Sequence, residues 1–422
     1  MKILLLSAYD KEGGAARSTY RLYKALREEG VNAAILVQKM SFKEAGIIGP
    51  SNRLEKLFNI IRPSIDQIPL TLYPNKKDMM FSTSWFGFSN VVKKINMFNP
   101  DIVHLHWING GMIKIEGIKK INAPIIWSLH DMWPFTGGCH YSCGCENYKE
   151  ACGNCELLGS KKKNDLSRKI WMRKKRIYLK KEILVIALSQ WIFDCAINSS
   201  LFRDKKIKRL PNLIDSKIFK PYDKKKAREL WNLSQYKKLI LFIALGGTKN
   251  KLKGFNFLIE ALKRVDNKDI ELILVGDNDI ELGNFNIKIN CIGRINDDIS
   301  LVTLYNAADV TVVPSLQENL SNVIMESMSC GVPVVAFRIG GNGDMIDHRH
   351  NGYLANPFDV GDLANGINYV LYNERYELIS KNVREKSLKE FDSKVVVQKY
   401  IDLYKEVIFE KKKNNSIFRF MM

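Results

Sequence analysis

Short apolar runs alternate with stretches of helical period along the whole chain. In the first half the runs are 2–7 (KILLLS), 31–38 (VNAAILVQ), 101–106 (DIVHLH), 124–129 (PIIWSL) and 184–188 (LVIAL). In the second half they are 239–245 (LILFIAL), 270–276 (IELILVG), 289–293 (INCIG), 309–315 (DVTVVPS) and 332–337 (VPVVAF). These runs are apolar on both faces, as strands buried in a parallel sheet must be. Strand, helix and strand in repetition predict parallel sheets joined by crossover helices. Residues 211–226 (PNLIDSKIFKPYDKKK) interrupt the series with two prolines and a charged run that has neither period. The pattern therefore predicts an α/β chain of two Rossmann-like, doubly wound domains facing a central cleft, where the carboxyl ends of open sheets bind ligands. The expected boundaries are 1–210, 211–385 and a terminal segment 386–422. In that segment DSKVVVQKYIDLYKEVIFEK sets Val396, Tyr400, Leu403 and Val407 on one helix face, and a mobile tail follows.

Length agrees, since 422 residues exceed what one core ordinarily serves. Sixty-five Lys and Arg against 45 Asp and Glu leave a net charge of +20, which favours anionic partners: nucleic acid, anionic lipid or phosphorylated small molecules. No apolar stretch reaches the ~18 residues of a membrane span. The run after Met1 is shorter than the apolar region of a signal peptide and reads as a first strand. A cytoplasmic protein is expected, with peripheral attachment to the inner face of the cell membrane left open.

Three places carry candidate chemistry. Gly13 and Gly14 lie between the first strand and the helical pattern STYRLYKALREEG, where small residues let backbone N–H groups approach an anion; a plain tight turn is the alternative. Lys253 precedes Gly254 and the amphipathic helix GFNFLIEAL, placed to neutralise a departing diphosphate unless it is one more solvated lysine beside Lys249 and Lys251. The third is PSLQENLSNVIMESMSCG at 314–331, where Glu318 and Glu326 bracket a helix expected to begin at Leu320 or Ser321 and to end at Cys330 before Gly331. A phosphate would sit on the N–H groups of Leu320, Ser321 and Asn322, reached through Asn319 in the connecting loop. The two carboxylates, being pure acceptors, suit the hydroxyls of a nucleotide sugar.

Glu318-x7-Glu326 followed by SMSCGVPVVAFRIGG resembles the donor-site signature of the retaining GT-B glycosyltransferases of family four. SLHDMWPFTGGCHY (128–141), ALSQWIFD (187–194), PNLIDSKIF (211–219) and KGFNFLIEAL (253–262) occur in family order, and the wording is nearest the colanic-acid-type subgroup that builds bacterial surface polysaccharides. The resemblance implies an acceptor-side domain at 1–210, a nucleotide-sugar domain at 211–385 and a terminal helix that returns to the first domain. It implies His130 meeting acceptor and reacting sugar, Lys253 on the diphosphate, Glu318 near the donor sugar, Glu326 on the ribose and Gly14 approaching the donor phosphates. The implied reaction moves a sugar, with retention and no divalent cation, from a nucleotide-diphosphate donor to a glycan or polyprenyl-diphosphate-linked acceptor. Two departures stand out: Gly247 and Thr248 occupy positions where the family often has an Arg, and Gly340-Gly341-Asn342-Gly343-Asp344 replaces Gly-Gly-Ile-Pro-Glu. The rival functions are a nucleotide-sugar 2-epimerase of the same fold and a non-enzymatic binder of nucleotide sugars or anionic lipid.

Cys139, Cys143, Cys145, Cys152 and Cys155 fall in a loop at 137–158, with His140 among them. Cys152-x2-Cys155 has the chelate spacing of a structural zinc site. By resemblance the four ligands would be Cys139, Cys145, Cys152 and Cys155; packed or redox-active thiols and an iron–sulfur cluster are the alternatives. Finally, 161–181 holds eleven basic residues and one acid, with Trp171, Met172, Ile177 and Tyr178 interspersed. Such a helix either lies on an anionic membrane or packs its apolar residues into the core; nucleic acid is disfavoured because no module for it accompanies the charge.

Overall fold

The computed structural model describes residues 1–86, 90–244, 250–265, 269–276 and 286–420, with side chains up to 413. The chain divides into two compact units, Met1–Pro211 with Val397–Met422, and Asn212–Val396.

The first unit is built on a seven-stranded sheet of order β3-β2-β1-β4-β5-β6-β7. Its strands are β1 (Lys2–Tyr9), β2 (Asn32–Lys39), β3 (Ile47–Ile48), β4 (Ile102–Leu105), β5 (Ile125–Leu129), β6 (Ile183–Ala187) and β7 (Ile207–Arg209). The second unit has six strands in the order β10-β9-β8-β11-β12-β13. They are β8 (Lys238–Ala244), β9 (Ile270–Gly276), β10 (Lys288–Gly293), β11 (Val310–Val313), β12 (Val334–Phe337) and β13 (Gly352–Ala355). Every strand pair is parallel. In both sheets the order reverses beside the first strand, between β1 and β4 and between β8 and β11, and such a switch point opens a crevice at the strands' carboxyl ends.

The cores follow from the runs that predicted the strands. Leu4, Leu6, Val103, Leu105, Ile125 and Trp127 are buried in the first unit, and Ile240, Phe242, Leu272, Leu274, Val310 and Val312 in the second. The terminal helix Ser393–Phe420 runs past the expected end near 411 into the Lys-rich segment that had read as a tail. Its Tyr400, Leu403 and Tyr404 are buried. Tyr404 hydrogen-bonds His104 Nδ1 at 2.7 Å, which ties the returning segment to the first sheet.

The basic stretch forms the helix Leu166–Tyr178. Trp171, Ile177 and Tyr178 lie in the core, while Met172 and the neighbouring Leu179 are exposed. Among the described residues no helix is long and apolar enough to cross a membrane.

Candidate functional site

In the second unit the loops after three neighbouring strands converge. After β8, a 3-10 turn at Lys251–Lys253 ends on Gly254, whose φ of +70° also caps the helix Phe255–Leu262. A Cβ on Gly254 would stand 1.8 Å from the carbonyl oxygen of Pro314, at the end of β11. Leu316 N–H donates to the Leu252 carbonyl at 2.8 Å, stitching the same two loops. After β12, Gly340 at φ +50° approaches Glu318 so closely that a Cβ there would meet the Glu318 carbonyl oxygen at 1.7 Å. Only glycine suits either position, for its φ and for the space.

That packing brings together two of the residues singled out in the sequence. Lys253 Nζ lies 2.8 Å from Glu318 Oε2, with Lys253 31% and Glu318 13% exposed. Ser315 Oγ lies 3.4 Å from the same carboxylate oxygen. The pair sits at the switch point, since Lys253 follows β8 and Glu318 follows its sheet neighbour β11. Lys249 lies outside the described residues.

The following helix spans Asn322–Ser329, one or two residues later than expected, and its N-cap Ser321 makes no side-chain capping bond. Asn319, Leu320 and Ser321 are buried, and so is Glu326 at 2% exposure. Tyr305 O–H donates to Glu326 Oε2 at 2.8 Å, which orients this carboxylate separately from the Lys253–Glu318 pair. Tyr305 carried no signal in the sequence beyond an apolar helical pattern.

In the first unit Gly13, at φ +91°, is the N-cap of the helix Gly14–Glu28, so Gly14 occupies the first helical position. His130, at the end of β5, is partly exposed and lies 2.9 Å from His106 Nδ1 through its Nε2. Burial pushes the His130 pKa down to about 4. Burial also pushes His106 well below its ordinary value, with the His104 and His130 rings adding to the effect. Both rings are therefore neutral near pH 7. His106 Nε2 is buried and has no hydrogen-bond partner among the described residues. Since an orphaned N–H is rarer than an orphaned acceptor, the proton belongs on His106 Nδ1, donated to His130. His130 then carries its own proton on Nδ1.

Next to His130, Asp131 accepts from Trp107 Nε1 at 3.0 Å and from the Trp133 N–H at 2.8 Å, and stands 2.6 Å from His140 Nδ1. Burial pushes this carboxyl up, but the His140 ring and those N–H donors outweigh it and hold the pKa below the ordinary carboxylate value. His106 and Asp131 are additions to the residues picked from sequence. The HLHW spacing could have given the first, because residues two apart in a strand share a face.

The cysteines of the loop are all free thiols. Burial raises Cys139 and Cys155, and pushes Cys152 up to about 12. Cys152 Sγ accepts the Gly137 N–H at 3.1 Å. Among the described residues no three His, Cys, Asp or Glu side chains are grouped so as to hold a metal ion. Protein contacts brace the loop: buried Lys174 donates to the Trp133 and Thr136 carbonyls, and Asp165 accepts the Cys155 N–H at 2.9 Å.

Two parallel Rossmann-like sheets with this switch-point chemistry define the GT-B class of fold. A solved structure of Anabaena HepE in complex with UDP-glucose matches 96% of this chain and 100% of its own with a TM-score of 0.66, at 20% identity. Residues 12–217 match the model described as Glycosyltransferase Family 4, and residues 237–373 the model described as Glycosyl transferases group 1. Between them the two matches span most of the chain and place it among the GT-B glycosyltransferases of group 1 and family 4. N-acetyl-alpha-D-glucosaminyl L-malate synthase of Bacillus anthracis is 26% identical over 219 residues, 50% of this chain and 56% of that protein. UDP-Gal:alpha-D-GlcNAc-diphosphoundecaprenol alpha-1,3-galactosyltransferase of Escherichia coli is 26% identical over 218 residues, 49% of this chain and 56% of that protein. The chain thus spans about half the length of the curated relatives it matches.

Proposed function

We propose that the protein transfers a sugar, with retention and without a divalent cation, from a nucleotide-diphosphate sugar to a glycan or lipid-linked acceptor in the synthesis of a bacterial surface polysaccharide. The observation that carries this reading is the Lys253–Glu318 pair at the switch point of the second sheet. Without a donor, each group neutralises the other. When a donor enters, the Lys253 ammonium exchanges the carboxylate for the diphosphate, and Glu318 is released to accept hydroxyl hydrogens of the sugar. As the bond from sugar to phosphate breaks, negative charge grows on the leaving diphosphate and Lys253 opposes it at fixed distance. Loss of one such contact typically costs about 10²–10³ in turnover.

Glu326, held by Tyr305, serves the ribose in this reading, and the start of the helix Asn322–Ser329 with Asn319, Leu320 and Ser321 serves the phosphates. In the first unit Gly14 approaches the donor phosphates, and His130, neutral and oriented by His106, offers an N–H to the reacting sugar and acceptor. The relatives support the class of chemistry: the Escherichia coli relative is named for a UDP-galactose donor and a diphosphoundecaprenol-linked acceptor, and the HepE structure holds UDP-glucose. The test is a thermal-shift screen of nucleotide sugars followed by a transfer assay in the presence of a chelator. A donor that binds only the folded chain raises its melting temperature. Lys253→Ala is expected to abolish that shift and to reduce transfer by about 10²-fold or more. Near-normal transfer by Lys253→Ala or by Glu318→Ala refutes the assignment.

A further inference from the structure

His130 and His106 stand on a second tier of polar side chains. His104 in β4 and His106 just after it are two residues apart, as are Ser128 in β5 and His130 just after it, so each pair projects from one face of its strand. His104 is wholly buried, and the rings of Tyr400 and Tyr404 from the terminal helix enclose it, each with its centroid 5.8 Å away. Both tyrosines belong to the same compact unit as the histidines. Each nitrogen of His104 is engaged: Nδ1 with Tyr404 Oη at 2.7 Å, Nε2 with Ser128 Oγ at 2.8 Å.

His106 is held differently. Its Nδ1 lies 2.9 Å from His130 Nε2, while its Nε2 has no hydrogen-bond partner among the described residues. A single hydrogen bond lets an imidazole swing about that contact or flip, so packing has to set the plane of this ring. What it packs on is His104, whose ring centroid is 4.2 Å away at an angle of 37°. Docking the terminal helix does not by itself call for such chemistry, because two facing apolar side chains can replace a buried hydrogen-bonded pair at little cost. A fully satisfied buried network instead imposes one arrangement on its members.

We infer that Tyr404 is a positioning residue for His130, acting in series through His104 and His106. Tyr404 and Ser128 lock the His104 ring, and that ring sets the plane of His106. In that plane His106 donates its Nδ1–H to His130 Nε2, which leaves the His130 Nδ1–H for the reacting sugar and acceptor. Without the Tyr404 hydroxyl the His104 ring turns, His106 loses its backstop, and His130 is no longer held in one orientation. The inference rests on the catalytic role proposed for His130, and one arm of its test does not.

The full chain, isotopically labelled at its histidine nitrogens, is compared with Tyr404→Phe in long-range proton–nitrogen spectra. Both are then assayed for transfer with the nucleotide sugar that the thermal-shift screen selects. In the wild type His106 and His130 are expected as single Nδ1–H tautomers. In Tyr404→Phe their signals move or broaden toward a mixture of tautomers, while those of His140, held by Asp131 and Ser82, stay in place. The variant's kcat is expected to fall about tenfold, with the donor's KM and thermal shift unchanged. His104→Phe should lose as much, and the double variant no more than either, since residues acting in series are not additive. Leu403→Ala, which trims a buried side chain of the same helix, lowers the melting temperature and leaves the kcat of folded protein unchanged. Should Tyr404→Phe fold poorly, Ser128→Ala frees His104 at its other nitrogen and gives the same signature. The inference is overturned if Tyr404→Phe transfers like wild type, if Leu403→Ala reproduces its loss of kcat, or if the His106 and His130 signals do not move. If the wild type transfers no sugar, the catalytic reading falls by itself and the spectra decide the positioning alone: movement upholds it and its absence overturns it.

Discussion

Gly340→Ala puts the geometry of the donor-side loops to a direct test. The new Cβ would lie 1.7 Å from the Glu318 carbonyl oxygen and 2.9 Å from its carbonyl carbon, at a φ of +50°. The left-handed backbone alone costs a non-glycine residue about 1–2 kcal/mol. Relieving the clash requires the Glu318 backbone to withdraw by about 1.5 Å, the distance from 1.7 Å to a tight but tolerable contact, and overpacking of this kind adds about 1–3 kcal/mol. The sum, about 2–5 kcal/mol, corresponds to a fall of roughly 4–20 °C in melting temperature for a unit of this size. Because Glu318 itself must move, transfer should fall further than stability does: about 1 Å of misplacement can cost ~10²-fold in rate. Gly343→Ala is the matched control, since a Cβ there meets nothing within 4 Å; it should behave as wild type in calorimetry and in sugar transfer. If Gly340→Ala melts and turns over like Gly343→Ala, the contact that positions Glu318 is not as described.

Stability should fall in mild acid. The imidazole of His104 is pushed down to about 3 and that of His130 to about 4, chiefly by burial, against an unfolded value near 6.5. Between about pH 4 and 6.5 the unfolded chain binds protons that the folded chain refuses, so stability rises with pH across that window and levels off above it. At pH 5 each such histidine costs about 2 kcal/mol; His130→Gln should remove its share of the slope in pH-dependent denaturant titrations, and an unchanged slope would contradict the burial. Gly254→Ala should repeat the Gly340 phenotype, because its Cβ would sit 1.8 Å from the Pro314 carbonyl oxygen; wild-type melting would refute the contact. A structural zinc on Cys139, Cys145, Cys152 and Cys155 is a further proposal, resting on spacing and resemblance. In metal analysis of protein purified under reducing conditions, about one equivalent of zinc supports it and less than about a tenth removes it.

Among the described residues ten of the thirteen strands were legible as apolar runs, nine of them because a central parallel strand has both faces covered and must be greasy throughout, and the edge strand β10 besides. The three that were not, Ile47–Ile48, Ile207–Arg209 and Gly352–Ala355, are all at sheet edges, where a strand can be two to four residues long or partly polar. Hydrophobic period misleads at Arg53–Gln67 for a different reason: LEKLFNIIRPSIDQ has a helical stripe that the ordinary rule assigns to the core, and here the stripe faces out because polar partners wait on the inside. At Leu166–Tyr178 the same rule held for Trp171, Ile177 and Tyr178, which are buried.

The candidate site divides in the same way. Glu318, Glu326 and Lys253 could be picked out by residue type, since side-chain chemistry is written in the sequence, whereas His130 came only from the resemblance of SLHDMWPFTGGCHY to the family. What makes Lys253 and Glu318 a pair is backbone against backbone: the loop after β8 touches the end of β11 through Gly254, and the loop after β12 touches Glu318 through Gly340. Three loops from three adjacent strands thus hold one another, and any side chain at either glycine would wedge them apart. Nothing in the motif announces this, because a glycine read singly means only a turn. With the departure Gly340-Gly341-Asn342-Gly343-Asp344 the Lys253–Glu318 pair is still formed: Gly340 keeps the close approach to Glu318, and Asn342 donates through Nδ2 to the Phe337 carbonyl at 3.0 Å, fastening the altered loop to its own strand.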